Sequence, residues 1–361
     1  MRYTLITILF LSFNLFSYNE NKYIHIVLPS NETPQVITKG DAADDPAIWL
    51  NSLYPEKSLI FGTDKRSGIY IYDLSADIVS YNEIGNINNV DIRTVKIFDN
   101  YSKKHDSQTF IFGSNRTNNS LSVWFYNDVK INRALEKNNF RLSKNPHISK
   151  KANMVVYGVC AGIDREHGLI AFLTEDEGSR VQMWKYNGSN FEIIKTFNNQ
   201  NAIQSEGCVY DDENRTLFIS EEQDRGILRA YVLNKELNFL DPVVIDTRDG
   251  NIFGDPEGIT IYKTTKNEGY LILSSQGDST FNIYNRKYPY EYFGSFKISH
   301  NQKIDGVSDT DGIDALNYNL NKDYPEGLLV VQDGTNDGEI NVENQNFKYI
   351  SFTEIISALN L

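Results

Sequence analysis

Two kinds of short segment alternate along this chain, and each occurs six times. The first opens on an acidic or polar residue, often followed by glycine, and runs into an apolar stretch. Its copies are Asp45-Pro-Ala-Ile-Trp49, Asp91-Ile-Arg93, Tyr157-Gly-Val-Cys160, Glu206-Gly-Cys-Val-Tyr210, Glu257-Gly-Ile-Thr-Ile-Tyr262 and Asp311-Gly-Ile-Asp-Ala-Leu316. The second is an apolar strand ending in an oxygen-bearing side chain: Leu59–Asp64, Phe110–Asn115, Ile170–Glu175, Leu217–Glu222, Leu271–Gln276 and Leu328–Asp333. A turn and an alternating aromatic strand usually follow. A period of roughly 50 residues with three or four short strands in each unit is that of a propeller blade. An open β-sandwich would account for the strands but not for the sixfold repeat. We therefore expect an all-β, single-domain, six-bladed β-propeller, with one helical turn or two near Thr353–Leu359. The strand-like Tyr23–Leu28 is expected to close the ring beside Asn346–Phe352.

The start of one strand and the end of its antiparallel neighbour lie at the same sheet edge. Around a propeller that edge is one face of the disc. Asp45, Asp91, Tyr157, Glu206, Glu257 and Asp311 should thus form one ring, with Asp64, Asn115, Glu175, Glu222, Gln276 and Asp333 beside it. Asp44, Asp255, Asp305, Asp309 and Asp314 add carboxylates nearby. So many like charges need neutralising. With neither His nor Cys in either ring, a hard, oxygen-loving cation fits, Ca²⁺ better than Mg²⁺. Asn89, Gln276 and backbone carbonyls could complete the shells. The alternative is a set of solvated turn caps. Lys65, Arg66, Arg93, Arg116, Arg180 and Lys348 are the cations expected at these slots, and arginine forks match phosphate oxygens.

The net charge of −13 disfavours a nucleic-acid partner. Residues 1–17 read as a signal peptide, with Arg2 followed by a short apolar run. The expected mature domain is 18–361, secreted or periplasmic and monomeric. No later apolar stretch is long enough to span a bilayer. Aligning Tyr157-Gly with Glu206-Gly sets Cys160 opposite Val209, so the two sulfurs should point to opposite sheet faces and stay unpaired.

In order along the chain, DAADDPAIWL (41–50), NNVDIR (88–93), SNR (114–116), VYG (156–158), SEG (205–207), SEE (220–222), PEGITIY (256–262), SSQG (274–277), SDTDGID (308–314) and QDG with NQNFK (332–334, 344–348) resemble the β-propeller phytases. The likeness runs from about residue 35 to 358. It implies a Ca²⁺-dependent, 3-phytase-type phosphomonoesterase that hydrolyses phytate, myo-inositol hexakisphosphate, by attack of metal-activated water. By position it implies a cleavage site of Lys65, Arg116, Tyr157, Glu206, Glu222, Asp255 and Glu257, with further calcium or second-phosphate contacts from Asp45, Asn89, Asp91, Arg93, Gln276, Asp309 and Asp311. Arg66 and Arg180 join the expected phosphate contacts, and substrates with adjacent phosphates are expected to be favoured. The rings and the resemblance together give the expected metal ligands Asp44, Asp45, Asn89, Asp91, Glu206, Glu222, Asp255, Glu257, Gln276, Asp309, Asp311 and Asp333. One departure stands out: Asp176 occupies the third-blade turn where the family usually has lysine, with Arg180 the nearest substitute.

Covalent phosphatase routes lack their motifs, since none of the five histidines lies in an Arg-His-Gly-x-Arg pattern. A Ca²⁺-dependent propeller lactonase and a non-catalytic, Ca²⁺-stabilised binding propeller remain as other readings.

Overall fold

Each sequence repeat becomes one antiparallel sheet, and six such sheets, blades 1 to 6 in chain order, follow one another around a ring in the computed structural model. The structure describes residues 23–99, 104–222, 226–336 and 344–361. The expected signal peptide lies outside them. The first strand of each blade is innermost: Ala43–Trp49, Ile87–Asp99, Val156–Asp164, Ser205–Asp211, Pro256–Lys263 and Ile313–Leu316. Each touches its counterpart in the next blade, and the last touches the first.

Burial follows from this geometry. The second strand of blade 4, Thr216–Glu221, is buried on both faces because a neighbouring blade covers each side. The outermost strand of blade 3, Phe191–Asn198, is buried only at Phe191 and then alternates exposed and half-buried positions with period two. The core comprises six apolar clusters, each between two consecutive blades. Trp49, Phe61 and Ile71 of blade 1 meet Ile111 and Trp124 of blade 2, and Tyr70 and Tyr72 of blade 1 meet Val330, Phe347 and Tyr349 of blade 6.

The closure differs from the expectation. Ile24–Val27 adds in parallel to Tyr292–Ile298 of blade 5, and blade 6 is completed by Asn31–Glu32 on Asn346–Ser351. Pro29 has no N–H for a ladder, so the strand stops before it and the chain restarts one blade further on. Lys348, expected at the polar face, is fully buried at this seam instead. Its ammonium meets Glu32 at 2.7 Å, Asp333 at 3.0 Å and the carboxylate of Asp305.

The cysteines also differ from the expectation: Cys160 and Cys208 form a disulfide, with Cα atoms 5.6 Å apart. The helix Phe352–Leu359 falls where expected, and a second helix, Asp128–Leu135, is capped by the Asn127 side chain.

Candidate active site at the mouth of the propeller

In five blades the pairing of the first two strands skips two residues at the same place. The skipped pairs are Asp44-Asp45, Asn88-Asn89, Tyr157-Gly158, Glu206-Gly207 and Glu257-Gly258. Each pair opposes one residue on the second strand, and that residue always carries a hydroxyl: Thr63, Ser114, Thr174, Ser220 and Ser274. A bulge of this kind re-aims a side chain out of the ladder. The hydroxyl takes over the lost backbone bonding. It accepts from the N–H of Asp45 (2.9 Å), Asn89 (3.0 Å) and Gly158 (2.8 Å). In blade 6, the side-chain oxygen of Gln332 accepts from Asp311 N at 2.8 Å.

The bulges leave little room beside the ring. A Cβ on Gly207 would sit 2.1 Å from the Glu257 carbonyl oxygen, and one on Gly312 2.7 Å from that of Asp44. These glycines let successive inner strands approach.

By register, then, the innermost ring is Asp44, Asn88, Tyr157, Glu206, Glu257 and Asp311. The end of the second strand supplies a companion set, Lys65, Arg116, Asp176, Glu222, Gln276 and Gly334. Each donates its backbone N–H to the carbonyl two residues before its blade's bulge or, in blade 6, to an equivalent loop carbonyl: those of Ala42, Asn86, Val155, Gln204, Asp255 and Ser308, at 2.7–3.2 Å. The two sets meet at the mouth of the channel. Carboxylate oxygens of Glu206, Glu222 and Glu257 lie within 4.8 Å of one another. Lys65 Nζ reaches Asp41 at 2.7 Å, Asp44 at 2.9 Å and Asp311 at 3.3 Å. Asn88 donates to Glu206 at 2.7 Å and to Asp44 at 3.2 Å, and accepts from Arg116 at 2.9 Å. Arg116 lies 5.5 Å from the centre of the Tyr157 ring and 3.1 Å from Asp176.

The sequence profile of the Phytase family matches residues 4–361. A 3-phytase of Bacillus subtilis is 33% identical over 341 residues, covering 92% of this chain and 85% of that protein. This chain belongs to the phytase family. Among solved structures, a gluconolactonase of Xanthomonas campestris aligns over 92% of this chain and 99% of that one with a TM-score of 0.52, at 9% identity. That likeness concerns the fold alone.

The mouth of this phytase-family chain is strongly under-neutralised. Burial first, then the charges of Asp44 and Glu222, push the Glu206 carboxyl up to about 8. Burial raises Glu222 to about 7 and carries Glu257 and Asp311 well above the carboxylate range; neighbouring carboxylates add to the effect, while Lys65 opposes it at Asp311 and hydrogen bonds from Gln204 and Tyr157 oppose it at Glu222. Burial works against the Lys65 ammonium, but Asp44, Asp311, Glu206 and Asp41 outweigh it and hold it charged. Glu257 Oε2 is buried and meets no hydrogen-bond donor among the described residues. A crowded all-oxygen donor set with an orphaned buried oxygen fits a hard divalent cation.

Other expected site residues lie elsewhere. Asp45 and Asp91, taken from sequence as ring members, sit further along the channel, where each caps a neighbouring inner strand. Asp45 accepts from Val90 N at 3.0 Å, and Asp91 from Ala161 N at 2.7 Å. Asn89 points inward with them and accepts from Asn88 at 2.9 Å. Arg93 pairs with Asp91 at 2.6 Å. It lies five residues beyond Asn88 on one strand, roughly 16 Å along the channel at about 3.3 Å per residue. The second ring as read from sequence mixes two slots. Asp64, Asn115, Glu175 and Asp333 fall one position early and serve as local caps and ion pairs, whereas Glu222 and Gln276 reach the mouth. Arg66 donates to Asp64 and Lys39, while Arg180 is held by Glu175 and the Asn153 carbonyl. Asp309 is exposed on the loop beside Gly334, and Asp255 is bound by Arg248. Asn88 and Arg248 are the residues that sequence reasoning missed. Aligning the hydroxyl-bearing FGT, FGS, FLT, FIS and ILS segments would have found Asn88.

Proposed function

We propose that this chain is a Ca²⁺-dependent phosphomonoesterase that releases inorganic phosphate from phytate and lower inositol phosphates. The observation that carries this reading is the meeting of Glu206, Glu222 and Glu257 beside Lys65 and Arg116 at one mouth. We assign Asp44, Glu206, Glu222, Glu257 and Asp311 as the residues that hold Ca²⁺, with Asp255, Gln276 and Asp309 at the margin. Bound there, the ions would neutralise phosphoryl charge and make water a competent nucleophile. The protein's own part is positioning. Lys65 and Arg116 take phosphoryl oxygens, the arginine through its planar fork. Asn88 ties Arg116 to Glu206 and fixes their spacing. Burial and the charges of Glu206, Glu222 and Glu257 keep Tyr157 a neutral phenol, hence a hydrogen-bond donor to phosphate.

The finer readings follow the relative and the chain's own chemistry. We assign 3-phytase regiochemistry by similarity to the Bacillus protein. Export to the periplasm or medium as a monomeric domain, residues 18–361, accords with the amino-terminal apolar run and with a disulfide. Among the described residues no helix is long and apolar enough to cross a membrane. The test is phosphate release from phytate by purified protein, with Ca²⁺ removed and restored, beside Glu206→Gln. Release that is indifferent to Ca²⁺ and to the substitution would overturn this assignment.

A further inference from the structure

The inner strands of neighbouring blades are tied to one another by a recurring contact. Counted from the ring residue of each blade, the third position further along is Asp91 in blade 2, Thr260 in blade 5 and Asp314 in blade 6. Each accepts a backbone N–H from the fourth position of the next inner strand. Asp91 accepts from Ala161 at 2.7 Å, Thr260 from Ala315 at 3.1 Å and Asp314 from Ile48 at 2.8 Å. Blade 3 carries Cys160 in this slot, and it reaches the inner strand of blade 4 through a covalent bond to Cys208. One joint of the ring is thus held by a sulfur–sulfur bond where three others are held by side-chain oxygens.

This joint carries Tyr157 on one side and Glu206 on the other. Cys160 lies three residues beyond Tyr157 and Cys208 two beyond Glu206, roughly 10 Å and 7 Å along their strands at about 3.3 Å per residue. Toward the mouth the strands are already in contact: a Cβ on Gly158 would clash with the Glu206 carbonyl oxygen. Away from the mouth, Ile163 N donates to Asp212 at 2.8 Å. Cys160 is buried, whereas Cys208 is half-buried and borders the axial channel beside Asp45, Asp91 and Asp314.

We propose that the Cys160–Cys208 bond is a redox-controlled positioning element: it sets the spacing of Tyr157 and Glu206, and its reduction turns the site to a less active form. This rests on the phosphatase reading above. An external dithiol entering by the channel attacks the Cys208 sulfur as a thiolate, and Cys160 leaves as a thiolate and takes up a proton. The dithiol's second thiol then closes its own disulfide and releases Cys208, so two electrons and two protons pass to the pair. Two free sulfurs need about 3.5–4 Å between them rather than about 2 Å. Thiols are weak hydrogen-bonding groups and do not restore the tie that Asp91 and Asp314 make elsewhere. The two strands part, Tyr157 shifts relative to Glu206, and a displacement of about 1 Å at such a group can cost about a hundredfold in rate. The mouth is therefore fully assembled only where disulfides persist, outside a reducing cytoplasm.

The test compares oxidised wild type, wild type reduced with dithiothreitol, and Cys160→Ser with Cys208→Ser, in saturating Ca²⁺ and well below their melting temperatures. Mass fixes the redox state of each sample. In the reduced protein and in the double variant kcat on phytate should fall by about tenfold or more, and reoxidation should restore it in wild type alone. Amide hydrogen exchange over residues 156–161 and 205–210 should quicken by about tenfold in both, with the other inner strands unchanged. Lys348→Met, which weakens the ring at the blade 6 seam, should keep kcat within about twofold of wild type. A kcat within about twofold of oxidised wild type in either form shown by mass to lack the bridge would overturn the proposal. So would an equal loss in Lys348→Met, which would make the bridge a general staple. If oxidised wild type released no phosphate from phytate, the phosphatase reading would fall, and the exchange arm would still decide. Exchange that is unchanged over those two segments, or quickened alike in every inner strand, would overturn the positioning role.

Discussion

Cys160 and Cys208 are joined across blades 3 and 4 although their side chains leave their own sheets on opposite faces. In a propeller the front of one blade packs on the back of the next, so opposite faces are the ones that meet. The side chains alternate as the register requires, and the sulfurs would stay apart only if the two strands belonged to one flat sheet. The bridge closes a 48-residue separation, which corresponds to about 4 kcal/mol of stabilisation by loop-closure entropy. Cys160→Ser with Cys208→Ser should lower the denaturant midpoint accordingly at fixed Ca²⁺. Wild type under non-reducing conditions should weigh two hydrogens less than its reduced form.

Glu257 has a buried oxygen without a donor, and Glu206 is crowded by Asp44 and Glu222. Replacing either glutamate with glutamine removes a metal-holding charge and also relieves repulsion. Glu206→Gln and Glu257→Gln should each lose about a hundredfold or more in kcat/KM on phytate. Each should nevertheless melt no lower than wild type in EDTA. A variant that is inactive only because it unfolds would melt lower, and that result would remove the ion-holding role.

Much of this was legible in the sequence because burial and turn chemistry repeat with the blades. The alternation of segment types located all six inner strands, and Glu206, Glu257, Asp311 and Tyr157 fell in their true slots. Blades 1 and 2 misled because they lack the glycine that marks the bulge elsewhere. Asp45 and Asn89 stand where blades 3 to 6 have Gly158, Gly207, Gly258 and Gly312. The ring position therefore belongs to Asp44 and Asn88. Arg248 was invisible for another reason: it lies on a connecting loop outside the repeat, and only folding carries it to Glu222 and Asp255.

Asp176 occupies the slot that holds Lys65 in blade 1 and Arg116 in blade 2, and it engages Arg116 at 3.1 Å. That pair is partly open to water, so its net strength is about 0–1 kcal/mol. Asp176→Asn should free the guanidinium for phosphate and lower KM for phytate by up to about fivefold. An unchanged or higher KM would mean that Asp176 does not restrain Arg116.

The buried Lys348 ammonium joins the amino-terminal segment, through Glu32, to blade 6 and to the loop bearing Asp305. Lys348→Met would leave Asp333 buried without its cation. Breaking such a pair costs about 3–5 kcal/mol. Because the seam closes the ring, the loss should appear as lower stability of the whole propeller in a single transition. A separate early transition confined to blade 6 would contradict that coupling.

The mouth also sets a pH dependence whose sign can be worked out. In the unfolded chain glutamates titrate near about 4.3. In the folded chain, burial and neighbouring charge move Glu222 to about 7 and Glu206 to about 8. Between those limits the native state holds more protons than the unfolded state, so stability falls as pH rises. Asp164 and Asp211, which Arg215 and Arg286 hold below the usual range despite burial, act only at lower pH. Burial raises Asp314 and Asp333 to about 6 each and so adds to the same fall, and His147, lowered by burial, opposes it. Ca²⁺ competes with the same protons, so its binding must strengthen over that interval. In EDTA the melting temperature should therefore decline from pH about 5 to about 8.5, while the increase produced by a fixed excess of Ca²⁺ grows across the same range. A Ca²⁺-induced increase that is constant with pH would show that the ions bind without displacing protons from Glu206 and Glu222, and would place the metal-holding set elsewhere.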